Sequence, residues 1–390
     1  MSTAIKRSFA APFALVAAKS CRILCHTERK LNRVAAGHAL FTTGGVYMLH
    51  DFKLNRRNFL RLGAAAALTP TATACAGREF EISIDSSLPT SSFGSDSTAE
   101  EVTAGLDLSG KVALVTGCNS GLGFETMRVL AMRGAHVVGT GRTMEKAAVA
   151  CEQVDGKATP VVLELSDFKS VLECANTVRQ LDMAIDILVC NAGINTFGEL
   201  ELVNGIERMF VVNHLGHFVL VNQLLPLMQR ATAGRVVHVG SRAGYRRVLP
   251  EGIDFDNLRG EKSFDASAAY GRSKLANALF SHELSKRLAN SAATSNVIHP
   301  GLVKTNIART APGFMRGAFN LLGGLIAKTP EQGAATQTYV ATAPALAGVS
   351  GVYFEDCNPV IVSGQHHMFD DAMAAKLWAL SEQMSAGYLI

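Results

Sequence analysis

The residues best suited to carry chemistry are a tyrosine and a lysine four positions apart, Tyr270 and Lys274. On a helix this spacing places both side chains on one face. A phenol with a pKa of about 10 is a weak base at neutral pH, but a neighbouring ammonium favours the phenolate. The pair therefore predicts acid–base chemistry on a carbonyl or alcohol oxygen, with Lys274 also able to hold a ribose.

Two polar residues earlier in the chain could complete this site. Ser241 closes the strand-like run RVVHVGS, and its hydroxyl could share the substrate oxygen with the phenol and stabilise the charge that develops there. Asn213, in VVNHLGHF, is predicted to lie within a helix, where asparagine is intrinsically unfavourable. This suggests that it organises a water and proton relay behind Lys274. A helical asparagine bonded only to a bulge or to solvent is the alternative.

A glycine-rich segment, TGCNSGLG, follows the first predicted strand and precedes a helical stretch. Glycines there would allow a tight turn and close approach to a pyrophosphate, while the helix N-terminus supplies amide donors. The residues concerned are Gly117, Ser120, Gly121, Leu122 and Gly123. A plain strand-to-helix loop would look similar, so the segment predicts a dinucleotide site mainly in combination with the tyrosine and lysine.

The end of the second predicted strand bears on the choice of cofactor. It reads GTGR, with no carboxylate for a ribose 2′-hydroxyl and with Arg142 in position to accommodate a 2′-phosphate. This favours NADP(H) over NAD(H). A solvated loop arginine is the alternative.

Apolar runs that could form strands alternate with helical patterns along the rest of the chain. The runs are Val112 to Thr116, Ala135 to Thr140, Val161 to Leu165, Ile185 to Cys190, Arg235 to Val239 and Asn296 to His299. Such alternation predicts an α/β fold, a Rossmann-like doubly wound parallel sheet flanked by helices, in a single domain. Ligands of such sheets bind at the carboxyl ends of the strands, where the motifs above lie.

Composition excludes several other kinds of site. With 48% hydrophobic and 18% charged residues, the chain can bury a sizeable core. The net charge of +4 comes largely from a basic N-terminal leader, and no basic stripe with interleaved aromatics suggests a nucleic-acid partner. His214, His217 and His238 have no carboxylate or cysteine partner at a suitable spacing, and no cysteine spacing is typical of a metal site. No metal and no disulfide are therefore predicted.

Residues 1–78 are predicted to form a targeting leader. A basic, transit-like segment is followed by Arg56 and Arg57, an alanine-rich apolar run and a small-residue site, which is typical of a twin-arginine export signal. The arrangement resembles the two-part presequences that send plastid proteins on to the thylakoid lumen. Translation from Met48, which would leave a bacterial-type signal, is the alternative.

The acidic, Ser/Thr-rich stretch that follows, residues 79–105, is predicted to be a flexible linker. The folded catalytic domain is then predicted to span residues 106–390.

Together these motifs resemble the short-chain dehydrogenase/reductase family, and most closely its retinol-dehydrogenase-like and WW-domain-oxidoreductase-like branch. Plastid translocon-associated and protochlorophyllide-reductase-like members are neighbouring relatives. The resemblance covers residues 106–390 and is carried by TGCNSGLG, CNAG, VVNHLGHF, YGRSKLANALF, HPGLVKT, KTPEQGA and GVYFEDC.

The resemblance implies a seven-stranded parallel sheet and a catalytic tetrad of Asn213, Ser241, Tyr270 and Lys274. It implies contacts to NADP(H) from the glycine-rich segment, from Arg142, from Tyr270 and Lys274, and from residues further along the chain. These are Glu164, Leu165, Asn191, Ala192, Gly193, Pro300, Gly301, Val303 and Thr305. Two departures are Cys190, where the family usually has asparagine, and Glu164, where it usually has aspartate, which predicts a looser adenine contact.

The segment from 306 to 329 is rich in Phe, Leu, Ile and Gly. In the family such a segment covers the substrate, which predicts an apolar lid and a small lipophilic carbonyl or alcohol substrate. An ordinary amphipathic helix and a peripheral membrane contact are the alternatives, and no oligomeric state is predicted. For the whole chain, the sequence predicts an NADP(H)-dependent oxidoreductase that reduces a lipophilic aldehyde or ketone. An NADP(H)-binding redox sensor or assembly partner with little turnover is the alternative.

Overall fold

The computed structural model describes residues 79–304 and 327–390. Its main element is a nine-stranded sheet in the order β1-β11-β10-β9-β8-β5-β2-β3-β4. The strands of this sheet are β1 (Glu81–Ile84), β2 (Val112–Val115), β3 (His136–Gly141), β4 (Ala158–Val162), β5 (Ile187–Cys190), β8 (Arg235–Val239), β9 (Thr294–His299), β10 (Tyr353–Glu355) and β11 (Asn358–Ser363). A small hairpin contains β6 (Leu202–Val203) and β7 (Ile206–Glu207).

Seven of these strands, from β10 through to β4, run parallel, as the family resemblance implied. β2 and β5 have the sequences VALV and ILVC, and all their residues are buried. Continuous apolar runs of this kind are typical of parallel strands covered on both faces. β11 and β1 extend the sheet on one edge as antiparallel strands.

The helices cover the two faces of the sheet. They are α1 (Ala99–Val102), α2 (Gly121–Met132), α3 (Met144–Glu152), α4 (Phe168–Gln180), α5 (Arg208–Phe210), α6 (Gly216–Gln229), α7 (Ala243–Arg246), α8 (Ala266–Arg287), α9 (Pro330–Thr342) and α10 (Asp371–Met384). A π-helical segment, Val211–Leu215, joins α5 to α6. Short 3-10 turns occupy Phe255–Asn257 and Pro344–Leu346.

Most of the core is divided by the sheet into two large apolar clusters. Leu114 belongs to one cluster, with α4, α6, α8 and α10, whereas its neighbours Ala113 and Val115 belong to the other, with α2, α3 and α9. This alternation follows because successive side chains of a strand point to opposite faces. The helical stretch Arg208–Gln229 is long and apolar enough to cross a membrane, but 83% of its most apolar window is buried inside the domain, as expected of a core helix.

The structure differs from the flexible linker that the sequence indicated over residues 79–105. β1 pairs with β11, with Ile82 opposite Val362. Thr98 and Glu101 form a capping box at the start of α1, and Ala99 and Val102 are buried. The few apolar side chains of this stretch pack onto the domain beside β11 and α9. Its Ser/Thr-rich composition gave no indication of this.

Candidate active site

The glycine-rich segment forms the turn between β2 and α2. Gly117 and Gly121 have φ angles of +73° and +61°, a conformation that side chains with a Cβ rarely adopt. At Gly123 a Cβ would lie 2.3 Å from the Gly117 carbonyl oxygen and 2.5 Å from Asn191 Nδ2. A glycine is therefore required for α2 to pack this closely, which leaves the turn and the first amides of α2 open to a bound pyrophosphate.

These residues border a cleft of about 260 Å³ at the carboxyl ends of the parallel strands. Eleven of the residues predicted to contact a cofactor line it: Gly117, Ser120, Gly121, Leu122, Gly123, Arg142, Glu164, Leu165, Asn191, Ala192 and Gly193. Its position fits an extended dinucleotide laid across the strand ends.

Arg142 follows the last residue of β3 and is exposed at the rim of this cleft. Its predecessor Gly141 is buried, and a Cβ there would lie 2.9 Å from the backbone nitrogen of Ala147. The end of β3 therefore has no room for a carboxylate side chain at position 141.

The loop after β5 is held to the end of β2 by Thr116. The amides of Asn191 and Ala192 both donate to Thr116 Oγ1, each at 2.9 Å, and Asn191 Nδ2 donates to the Thr116 carbonyl at 2.8 Å. Gln337 Nε2, from α9, donates to Asn191 Oδ1 at 3.4 Å. This network fixes the wall of the cleft formed by residues 191–193.

The cleft meets the predicted catalytic residues at Gly193. A Cβ on Gly193 would lie 3.2 Å from Asn213 Oδ1 and 3.6 Å from Lys274 Nζ. Tyr270 and Lys274 both lie on α8, and Lys274 Nζ is 5.9 Å from the centre of the Tyr270 ring. The structure thus brings Asn213 and Lys274 to one end of the cleft, with Tyr270 next to them.

The ammonium of Lys274 donates to the Val239 carbonyl at 2.8 Å, and its burial lowers the pKa of Lys274 to about 8. Burial raises the pKa of the Tyr270 phenol to about 12, against which act a hydrogen bond with Ser241 and the positive charge of Arg247. The sequence suggested that Lys274 would favour the phenolate. The hydrogen bond with Ser241 and the charge of Arg247 act in the same direction, and the effect of Lys274 stays a prediction.

Asn213 lies in the π-helical segment and is fully buried. Its Oδ1 accepts from Ile194 N at 2.8 Å, and its Nδ2 donates to the Ile194 carbonyl and to Ser273 Oγ, both at 2.9 Å. Its side-chain donors and acceptor thus bond to protein groups, and π-helical turns are frequent at functional sites. A water relay through this residue stays a prediction.

Three residues near the site were not singled out from the sequence. Besides Arg247, an ion pair joins Glu207 and Arg272, with Arg272 Nη2 at 3.4 Å from Glu207 Oε2. Glu207, whose pKa is raised by burial, also accepts from the amides of Met209 and Phe210. The pair ties the start of the helix that carries Asn213 to α8. Its only sequence signal was an arginine between Tyr270 and Lys274.

The predicted residues at the nicotinamide end lie after β9. Gly301 has a φ of +90° and packs against the Lys328 side chain, and Val303 is buried and forms a bridge with Lys328. Pro300 is half-buried beside them. None of the three lines the cleft described above. Thr305 and most of the predicted lid fall outside residues 79–304 and 327–390.

A family model described as short chain dehydrogenase matches residues 111–251. Short-chain dehydrogenase TIC 32 B, a chloroplastic protein of Brassica napus, is 38% identical over 304 residues, which are 75% of this chain and 93% of the relative. Human retinol dehydrogenase 14 is 38% identical over 70% of this chain and 86% of its own length. The WW domain-containing oxidoreductase of Gallus gallus is 37% identical over 75% of this chain and 72% of its own.

Solved structures share the fold. An uncharacterised protein from Mycobacterium paratuberculosis superimposes with a TM-score of 0.57 at 32% identity, over 73% of this chain and 96% of that one. An NAD(P)-dependent gluconate 5-dehydrogenase from Beutenbergia cavernae, solved with NADP bound at low occupancy, gives 0.52 at 26% identity over 64% and 96%. The chain belongs to the short-chain dehydrogenase family, in the branch of these retinol dehydrogenase, WW-domain and TIC 32 relatives, and is an oxidoreductase whose fold binds a nicotinamide cofactor.

Proposed function

We propose that this oxidoreductase uses NADP(H) to reduce a small lipophilic aldehyde or ketone, with Tyr270 as the proton donor. The observation that carries the proposal is the meeting of Ser241, Tyr270 and Lys274 at the Gly193 end of a cleft shaped for a dinucleotide. A protein that only sensed NADP(H) would have no need of a serine hydroxyl bonded to a buried tyrosine.

The charges around the cleft favour NADP(H). Arg142 is exposed at its rim, where a 2′-phosphate would lie, and forms no ion pair within the described part of the chain. The two carboxylates that line the cleft are already engaged, since Glu164 accepts from Ser166 and Glu201 pairs with Arg208. Neither lies at the end of β3, where the acid that binds a ribose 2′-hydroxyl is expected.

The nicotinamide, when bound, supplies the hydride to the carbonyl carbon. Tyr270 then donates its hydroxyl proton to the carbonyl oxygen, while Ser241 donates a hydrogen bond to the same oxygen. The phenolate left on Tyr270 is favoured by the charge of Arg247. Lys274, with a pKa of about 8, is largely protonated at neutral pH and can release the Val239 carbonyl to bind a ribose hydroxyl.

A lipophilic substrate is supported by the similarity to retinol dehydrogenase 14 and by the apolar composition of the segment from 306 to 329. Its proposed roles as a lid or as a membrane contact concern residues largely outside the described part of the chain. We propose the reductive direction because cellular NADP pools tend to be kept reduced.

We also propose a plastid location, supported by the similarity to chloroplastic TIC 32 proteins and by the basic leader. The twin-arginine signal lies in residues 1–78, outside the described residues. That signal, delivery to the thylakoid lumen and the start at Met48 all stay predictions. A fluorescent fusion of residues 1–78 tests them. A cytosolic fusion in plant cells would contradict the plastid proposal.

The activity is tested with the full-length protein by following NADPH and NADH consumption against long-chain and isoprenoid aldehydes. Tyr270→Phe should abolish turnover while preserving NADPH binding. Tyr388→Phe is a matched control, because Tyr388 packs edge-on against Phe168, with ring centres 5.5 Å apart, away from the cleft. NADPH binding without turnover on any aldehyde, unaffected by Tyr270→Phe, would favour the sensor function instead.

Cofactor choice is tested by Arg142→Gln. Loss of a charge-assisted contact to the 2′-phosphate should lower kcat/KM for NADPH about 10-fold to 100-fold and leave NADH almost unchanged. Arg246→Gln, also an exposed arginine but outside the cleft, should change neither value. Equal losses with both cofactors in Arg142→Gln would contradict the NADP(H) preference.

A further inference from the structure

His217 lies between the cofactor cleft and the catalytic residues. It is 2% exposed and stands four positions after Asn213. Its Nε2 is 3.0 Å from Thr116 Oγ1, at the end of β2, and its Nδ1 is 3.2 Å from the main-chain carbonyl of Asn213. One buried imidazole therefore contacts both the strand that carries the glycine-rich turn and the π-helical segment.

The partners of His217 determine its tautomer. A carbonyl oxygen only accepts, so Nδ1 must carry the hydrogen and donate to Asn213. A neutral imidazole has one donor, so Nε2 must accept, and the Thr116 hydroxyl is the donor. Burial lowers the pKa of His217 to about 4, assisted by the charge of Lys274, so the ring is neutral at physiological pH.

The hydroxyl of Thr116 then has its full set of partners. It donates to His217 and accepts from the amides of Asn191 and Ala192, which form the wall of the cleft. A second acceptor for its proton, the Val189 carbonyl, is more distant at 3.4 Å. His217 thus selects the orientation in which the lone pairs of Thr116 face the loop after β5.

At its other end His217 holds the carbonyl of Asn213, the residue whose side chain binds Ile194 and Ser273. Ser273 immediately precedes Lys274 on α8, and Ile194 immediately follows Gly193, where the cleft meets the site. A shift of the Asn213 backbone would therefore be transmitted to both.

We propose that His217 is a positioning residue that couples the cofactor cleft to the catalytic end of the site, by orienting the Thr116 hydroxyl and the Asn213 carbonyl through opposite nitrogens of one ring. This inference rests on the proposed reductase function for its kinetic readout, but not for its binding readout. The contact of Nε2 with Thr116 should affect cofactor binding, and the contact of Nδ1 with Asn213 should affect turnover.

Two substitutions each remove one of these contacts and keep the other. In His217→Asn the side-chain amide reaches the place of Nδ1 and keeps the donor to Asn213, but it loses Thr116. In His217→Gln the longer amide reaches the place of Nε2 and keeps Thr116, but it loses the donor to Asn213. We expect His217→Asn to raise the Kd and KM for NADPH about fivefold to tenfold with kcat nearly unchanged, and His217→Gln to lower kcat by a similar factor with Kd nearly unchanged.

His214→Asn is the matched control. His214 is equally buried on the same helical stretch, but its Nε2 contacts Ser381 Oγ in α10, at 2.7 Å, away from the cleft. This variant should lower Tm as much as the His217 variants and leave kcat and Kd unchanged.

The proposal is overturned if the two His217 variants change Kd and kcat in the same proportion, or if these changes follow Tm across all three variants. If the wild-type protein binds NADPH but reduces no aldehyde, the reductase proposal fails and the binding constants alone decide. A higher Kd in His217→Asn than in His217→Gln would still support the Thr116 half of the coupling, and equal values would overturn it.

Discussion

Three buried histidines should make this domain unstable in mild acid. His214, His217 and His238 are each no more than 2% exposed. Burial lowers the pKa of His214 and His238 to about 3 and that of His217 to about 4. In the unfolded chain each pKa returns to about 6.5. The unfolded state therefore binds more protons than the folded state between these values, and stability present above pH 6.5 is lost as the pH falls toward 4.

The size of the effect at pH 5 depends only on the folded pKa values lying below 5. Each imidazole is then neutral in the folded state and protonated in the unfolded state. Because the unfolded pKa of about 6.5 lies about 1.5 units above pH 5, each one lowers the free energy of unfolding by about 2 kcal/mol. Three such groups cost about 6 kcal/mol, and His299, whose pKa is also lowered to about 4 by burial, adds about 2 kcal/mol. That is a large part of the roughly 5–15 kcal/mol by which a domain is usually stable.

The measurement is urea-induced unfolding of the full-length protein at pH 7.5, 6.0 and 5.0. The free energy of unfolding should fall by several kcal/mol, with a slope that corresponds to uptake of about four protons, because burial also lowers the pKa of His299 to about 4. In His238→Gln the difference between pH 7.5 and pH 5.0 should shrink by about 2 kcal/mol. Phe280→Leu is the matched control, since Phe280 packs against His238 with ring centres 4.9 Å apart and does not titrate. It should lower stability equally at both pH values.

The reasoning is refuted if the free energy of unfolding is the same at pH 7.5 and pH 5.0. It is refuted as well if His238→Gln and Phe280→Leu show the same pH dependence, because the loss in acid would then arise from groups other than the buried imidazoles.

Two further variants test the site. Gly123→Ala should weaken NADPH binding about 10-fold to 100-fold, the equivalent of about 1–3 kcal/mol of overpacking, because its Cβ would lie 2.3 Å from the Gly117 carbonyl oxygen. Gly198→Ala is the control, because nothing lies within 4 Å of the added Cβ, and it should have no effect in the same titration. Arg247→Gln removes a charge that lowers the pKa of Tyr270, so the pH profile of alcohol oxidation should shift to higher pH, and an unshifted profile would show that this charge does not reach the phenol.

The parallel part of the sheet could be read from the chain because its strands are continuous apolar runs between helical patterns. All six runs singled out from the sequence are strands in the structure, although β4 begins three residues earlier than predicted, at Ala158. In the main sheet, β1, β10 and β11 were not among these runs. β1 is the edge strand, β11 lies between β1 and β10, and all three are short or of mixed polarity, so periodicity alone does not separate them from loops.

The residues of the cleft could likewise be predicted, since a glycine turn and the loops after β3, β4 and β5 must meet at the same edge of a parallel sheet. The electrostatics of Tyr270 could not. Arg247 lies 23 positions before Tyr270 in the chain, and nothing in that spacing shows that its charge opposes the effect of burial on the phenol. Lys274 was expected in this role, which stays a prediction, and the structure adds that its ammonium donates to the Val239 carbonyl.

The amino-acid sequence was sufficient to determine the α/β architecture, the strand-end position of the glycine turn and the pairing of Tyr270 with Lys274. These properties are local, because they depend on side-chain period and on spacings within one turn or one helix. It required the folded chain to show that residues 79–105 pack onto the domain, that Ser241 and Arg247 oppose the pKa shift of Tyr270, and that His217 joins Thr116 to Asn213. Those properties depend on burial and on distances between segments far apart in sequence, which only tertiary packing establishes.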